Sequence, residues 1–180
     1  MTLILSGTSG LSDVDGSAAT PAIRGTDANT GIFFPAADTI GFAEGGTEAM
    51  RIDASANLQF NSGYGSVATA YGCRAWVNFN GTGTVAIRAS GNVTSITDNG
   101  TGDYTVNFTT AMPDANYSLS AVVLLDTAPS ANYGYGVKSS GTTSLTNMTT
   151  SSWRFKTGWV GGATGTQLDD AQLVAIQIFR

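Results

Sequence analysis

The sequence predicts an all-β protein, on three observations. Only 12% of its 180 residues are charged, and Gly, Ala, Ser, Thr and Asn dominate, so the Lys and Glu that fill exposed helix faces are scarce. Apolar residues come in short runs punctuated by turn chemistry such as Asp27-Ala28-Asn29-Thr30-Gly31 and Glu44-Gly45-Gly46-Thr47. Tyr104, Val106 and Phe108 alternate with polar neighbours at the two-residue period of a half-buried strand.

Composition also narrows function. The net charge is −5, and the eight basic residues are scattered singly, which leaves no cationic stripe for a run of phosphates. Neither nucleic acid nor membrane insertion is therefore expected. There is no histidine, the commonest general base and metal ligand, and Cys73 is alone. The expectation is a protein that is not an enzyme and carries no cofactor and no metal, stabilised by packing and association. No run approaches the roughly 20 apolar residues of a membrane span. The N-terminus lacks the basic start and long apolar run of a secretory signal, which predicts synthesis in a cytoplasm without a targeting address.

Residues 1–20 open with Leu3-Ile4-Leu5 and continue without period, reading as an extended attachment segment in which Leu3 and Leu5 could dock on another subunit, with a frayed terminus the equally cheap reading. From 21 to 61 come five pieces of three to five residues: 22–24, 31–34, 39–43, 49–52 and 57–60. About forty residues of such hairpins cannot enclose a core without disulfides, metals or oligomerisation. With the first two unavailable, oligomerisation remains, and the candidate residues for a shared core are Ile23, Ile32, Phe34, Ile40, Phe42, Met50, Ile52 and Leu58.

The stretch from Pro21 through Asn29-Thr30-Gly31-Ile32-Phe33-Phe34-Pro35, then Asp38-Thr39-Ile40-Gly41-Phe42 and Gly46-Thr47-Glu48-Ala49-Met50-Arg51-Ile52-Asp53, resembles a module of bacteriophage tail fibres and related virion proteins. The resemblance spans about forty residues in order. It implies an intertwined, threefold β-stem. In that family the module often precedes a self-cleaving chaperone domain, and this chain departs there, continuing into a different globular segment.

Residues 62–71, rich in Gly, Ser and Ala, read as a linker. The segment 72–180 carries about eight expected strands, near 73–79, 84–88, 93–96, 103–109, 117–125, 142–148, 152–157 and 172–179, a pattern that favours an antiparallel β-sandwich. The piece 117–125 turns apolar on both faces, predicting that one end is covered twice. The stretch from Trp76-Val77-Asn78-Phe79 through Ala111-Met112-Pro113-Asp114 also resembles a domain recurrent in fibre proteins of aquatic phages, with no catalytic activity implied.

Other motifs have plain readings. Asn80-Gly81-Thr82-Gly83 and Asn99-Gly100-Thr101-Gly102 repeat a tetrapeptide between strands, and Asn-Gly is a hairpin signal rather than a phosphate cradle, since no helix follows. Asp13-Val14-Asp15-Gly16-Ser17 lacks the closing ligands of a calcium loop. Asp169-Asp170 reads as solvated loop charge, Cys73 beside Trp76 as a packed core thiol, and Asn92-Val93-Thr94 as a triplet expected from composition. Tyr133, Tyr135 and Trp159 fall in Gly-rich segments expected to be loops and are the receptor-binding candidates, with burial the competing reading.

The resulting expectation is a homotrimeric tail fibre or fibre tip of a virion, made in the host cytoplasm. It would join other virion proteins of tail, baseplate or capsid through its N-terminus and touch a host surface glycan or protein. A capsid decoration or cement protein is the alternative.

Overall fold

The computed structural model describes residues 5–6, 10–11, 14–124, 134–139, 147–160 and 166–180. The chain divides into two compact units, Met1–Ala70 and Tyr71–Arg180. Both are built from antiparallel strands, as expected from the alternation and turn signals.

In the first unit, β1 (Leu5–Ser6) pairs with β2 (Gly10–Leu11). A six-stranded meander follows: β3 (Ile23–Arg24), β4 (Gly31–Phe33), β5 (Ile40–Glu44), β6 (Thr47–Ile52), β7 (Leu58–Phe60) and β8 (Ala68–Thr69), each hydrogen-bonded to its sequence neighbours. β8 lies in the segment expected to be linker. Residues 14–20 are also less free than an attachment segment would be, because Gly16 bridges Pro21 and the Phe34 amide donates to the Asp15 carbonyl at 2.8 Å.

The turns owe their shape to short acidic side chains. Asp53 Oδ1 accepts from the Ser55 and Asn57 amides, both at 2.9 Å, and Oδ2 accepts from Gln59 Nε2 at 2.8 Å. Asp27 does the same for the Asn29 amide and the Thr30 hydroxyl. Such turns set strand register, and register decides which face each side chain takes. One face of the sheet is closed locally: Phe33 lies opposite Gly41, where a Cβ would sit 2.6 Å from the ring, and Phe33 and Ala43 are buried. Glu48 and Arg51 form an ion pair on β6.

The second unit is a sandwich. One sheet orders β10 (Ala86–Gly91), β9 (Cys73–Asn80), β17 (Leu173–Phe179) and β13 (Ser118–Leu124). The other orders β11 (Val93–Gly100), β12 (Asp103–Phe108), β15 (Ser152–Val160) and β14 (Gly134–Ser139), with β16 (Thr166–Leu168) also on β15. Strands β14 and β16 fall in segments expected to be loops. Of the piece expected at 142–148, residues 142–146 lie outside the described residues, while Met148 only bridges Trp153.

The core follows the two-residue period. Val174, Ile176 and Ile178 of β17 face Ala75, Val77 and Phe79 of β9 along one inner surface, and Tyr104, Val106, Trp153 and Phe155 form the other. Phe79 meets Tyr104 edge-on at 5.2 Å, and Trp153 stacks on Phe155 at 4.5 Å. Strand β13 is not covered twice: Val122 and Leu124 are 63% and 56% exposed, because their register partners Ala175 and Leu173 carry the outward face of β17.

β10 belongs to one sheet and β11 to the other, with only Asn92 between them. Asn92 takes a left-handed conformation at φ 56°. Its Nδ2 donates to the Arg74 and Thr110 carbonyls, both at 3.1 Å, and its Oδ1 accepts from the Thr110 amide at 2.7 Å. Asn both tolerates this backbone and ties the corner. Replacing Asn92 with Ala is expected to destabilise the protein by about 3 kcal/mol, the sum of backbone strain and lost side-chain bonds. Asn92→Gly, which relieves only the strain, should cost less; denaturant unfolding checks both.

Candidate functional site

The registers of the first unit assemble one continuous apolar row across the whole sheet. Ile23 opposes Ile32, Ile32 opposes Phe42, Phe42 opposes Met50, Met50 opposes Phe60, and Phe60 opposes Ala68. A second row joins Ile40, Ile52 and Leu58. Phe34, two residues beyond Ile32, shares their face. All eight residues singled out for a shared core therefore lie together, and Phe60 joins them. Its place is legible in the alternation Leu58-Gln59-Phe60.

None of these nine side chains is buried in the single chain. Ile23, Ile40, Leu58 and Phe60 remain 42–45% exposed, and the other five are half-buried. Six strands spaced by about 4.8 Å make the row roughly 24 Å wide. At one end an open cleft of about 540 Å³ is lined by Phe34, Ile40 and Ile52 and rimmed by Asp38 and Asp53. Completing the burial of each side chain is worth about 1 kcal/mol, so the nine together offer roughly 5–10 kcal/mol per chain, comparable with the entropic cost of association.

A second cluster joins the two Asn-Gly loops of the sandwich. Asp170 Oδ1 accepts from the Gly102 amide and from the Tyr104 hydroxyl, both at 2.7 Å, and that hydroxyl also lies 3.1 Å from the Gly81 carbonyl. The Gly81 amide donates to the Ala171 carbonyl at 2.8 Å. Both glycines are required by space: a Cβ on Gly81 would sit 2.4 Å from the Tyr104 oxygen, and one on Gly102 2.6 Å from the Thr157 carbonyl. Burial first, and then the Asp170 carboxylate, push the Tyr104 phenol far above its ordinary value, so it stays a neutral donor. Asp170 is thus a structural tie rather than a solvated loop charge, and Tyr104 and Asp170 form no free acid–base pair.

The remaining candidates are dispersed. Tyr133 lies outside the described residues. Tyr135 and Trp159, expected in loops, are register partners in β14 and β15. Cys73 is exposed rather than packed in the core, its thiol 3.2 Å from the Ala75 carbonyl, and Trp76 is on the outward side of β9. Among the described residues no three metal-ligating side chains converge, and no helix is long and apolar enough to cross a membrane. No family model, no curated protein and no solved structure matches the chain.

Two outcomes follow from the ties in the sandwich. Asp170→Ala strands the Gly102 amide and is expected to lower unfolding free energy by about 2 kcal/mol, whereas Asp170→Asn keeps an acceptor oxygen and should lose less. Asp103 accepts from Arg154 at 2.9 and 3.0 Å. Burial alone would raise its pKa, but the Arg154 hydrogen bonds and the charges of Arg154 and Lys156 outweigh it and hold it below 3.8; Asp114, paired with Arg180, is lowered likewise. With folded values depressed, this stability is fully present above pH 3.8 and is lost as pH falls through the lower folded values. Melting temperature should therefore hold down to about pH 4 and drop below it.

Proposed function

We propose that this chain is a non-enzymatic structural protein of a bacteriophage particle, a homotrimeric tail fibre or fibre tip for host attachment, whose N-terminal sheets associate through their apolar faces. The supporting observation is the row from Ile23 to Ala68, apolar across all six strands and open to solvent in one chain. A soluble protein seldom leaves such a face uncovered. The threefold symmetry and the virion setting come from the resemblance of residues 21–53 to phage fibre modules. In this reading the sandwich, whose core is drawn from its own residues, is the head domain.

Light scattering on the purified protein is expected to give about three times 18.4 kDa. A stable monomer would overturn the assembly reading, and a dimer would overturn the threefold part. Leu58→Asp and Phe60→Asp replace side chains more than two-fifths exposed in the single chain. They should leave the fold intact yet weaken association by about 3 kcal/mol or more per chain, since each buries an unpaired charge in the assembly. The fragment 71–180 should fold and remain monomeric in the same measurement.

A further inference from the structure

The sequence holds two Asn-Gly pairs, and both stand in the same tetrapeptide, Asn80-Gly81-Thr82-Gly83 and Asn99-Gly100-Thr101-Gly102. Asn is a thermolabile residue. A glycine after it leaves the next backbone nitrogen unshielded by a Cβ and free to approach the side-chain amide. Because the two tetrapeptides are identical, a difference in reactivity between them is imposed by the fold.

The first pair is locked. Asn80 Nδ2 donates to the Thr82 carbonyl at 2.9 Å, and its Oδ1 accepts from the Thr82 hydroxyl at 2.9 Å. Gly81 is buried, its amide donates to the Ala171 carbonyl at 2.8 Å, and the Tyr104 oxygen fills the space beside its Cα. The second pair is open. Asn99 and Gly100 are exposed, and no atom beyond its chain neighbours lies within 4 Å of where a Gly100 Cβ would sit. Among the described residues the Asn99 amide is held only through Nδ2, which donates to Thr105 Oγ1 at 2.9 Å. Asn99 is also the extra residue of a bulge, because the register passes from Asp98–Tyr104 to Gly100–Asp103 and leaves it without a ladder partner. The Gly100 amide donates to Asp98 Oδ1 at 2.9 Å, so an acceptor for the proton it must shed is within hydrogen-bond reach.

We infer that Asn99 is a site of spontaneous covalent modification in the folded protein, deamidating through a cyclic imide while the identical pair at Asn80 is protected. The Gly100 nitrogen bonds to Asn99 Cγ as the Cγ–Nδ2 bond breaks, and the Gly100 proton leaves with the side-chain nitrogen as ammonia. Water then opens the imide at either carbonyl, giving aspartate or isoaspartate with nothing oxidised or reduced. Each modified chain is one unit more negative than −5, and residue 99 loses the donor that tied it to Thr105 and gains a carboxylate beside Asp98. Because residue 99 has no ladder partner, the pairing of β11 with β12 does not depend on it. This modification stands independently of the assembly proposed above.

The test incubates the full chain at mildly alkaline pH, below its melting transition, beside a second sample unfolded in urea; both are digested and read by mass spectrometry over time. In the folded protein Asn99 is expected to acquire the amide-to-acid mass gain roughly tenfold faster than Asn80, since geometry held away from attack slows an intramolecular step by such factors. In urea the two sites should react at similar rates. Isoaspartate should accompany aspartate at residue 99, as opening of an imide requires. An Asn99 that stays intact in the folded protein, equal or faster reaction at folded Asn80, or aspartate without isoaspartate would each overturn the inference. So would the same preference for Asn99 in urea, which would take the selectivity away from the fold.

Discussion

A β-sheet with an apolar face needs a second layer over it, and the two units of this chain meet that need differently. In Tyr71–Arg180 two sheets cover each other, and Phe79, Tyr104, Phe155 and Ile176 between them are excluded from water. In Met1–Ala70 the single meander closes one face over Gly41 with Phe33, but its other face, from Ile23 to Phe60, has no covering layer among the described residues. The free energy available from covering that face is comparable with what association costs, and this comparison is what supports the proposed assembly.

Within the sandwich, the sheets are held in relation by a few polar ties at their ends. The segment around Asp169–Ala171 reaches both repeated Asn-Gly loops: Gly81 donates to Ala171, Gly102 donates to Asp170, and Thr157 bonds Asp169 through both backbone and hydroxyl. The glycines serve close approach more than turn formation alone. At the other connection, Asn92 carries the chain from one sheet to the other in a single left-handed residue. A residue that reads as a chance glycosylation triplet is thus the corner of the fold.

Much of the N-terminal face was legible because strand alternation is local: Ile40 and Phe42, or Met50 and Ile52, share a face whatever the rest of the chain does. The candidate residues therefore fall on one face of the sheet, while their open exposure needed the three-dimensional fold. The head was less legible. β14 escaped notice because Gly134-Tyr135-Gly136 carries turn-like composition, yet pairing with β15 overrides it, and this moves Tyr135 and Trp159 from expected loops into a ladder. Cys73 read as core because Trp76 is nearby, but the register shift at the end of β9 leaves the thiol outside.

From residues alone came the all-β class, the short N-terminal strands and the absence of histidine. These depend on composition and on spacing along the chain. Which groups meet across the chain was decided only by tertiary pairing: Asp170 with Tyr104 and Gly102, and Asp103 with Arg154 and Lys156. Register between distant strands is set by the packing of whole sheets, and no local period encodes it.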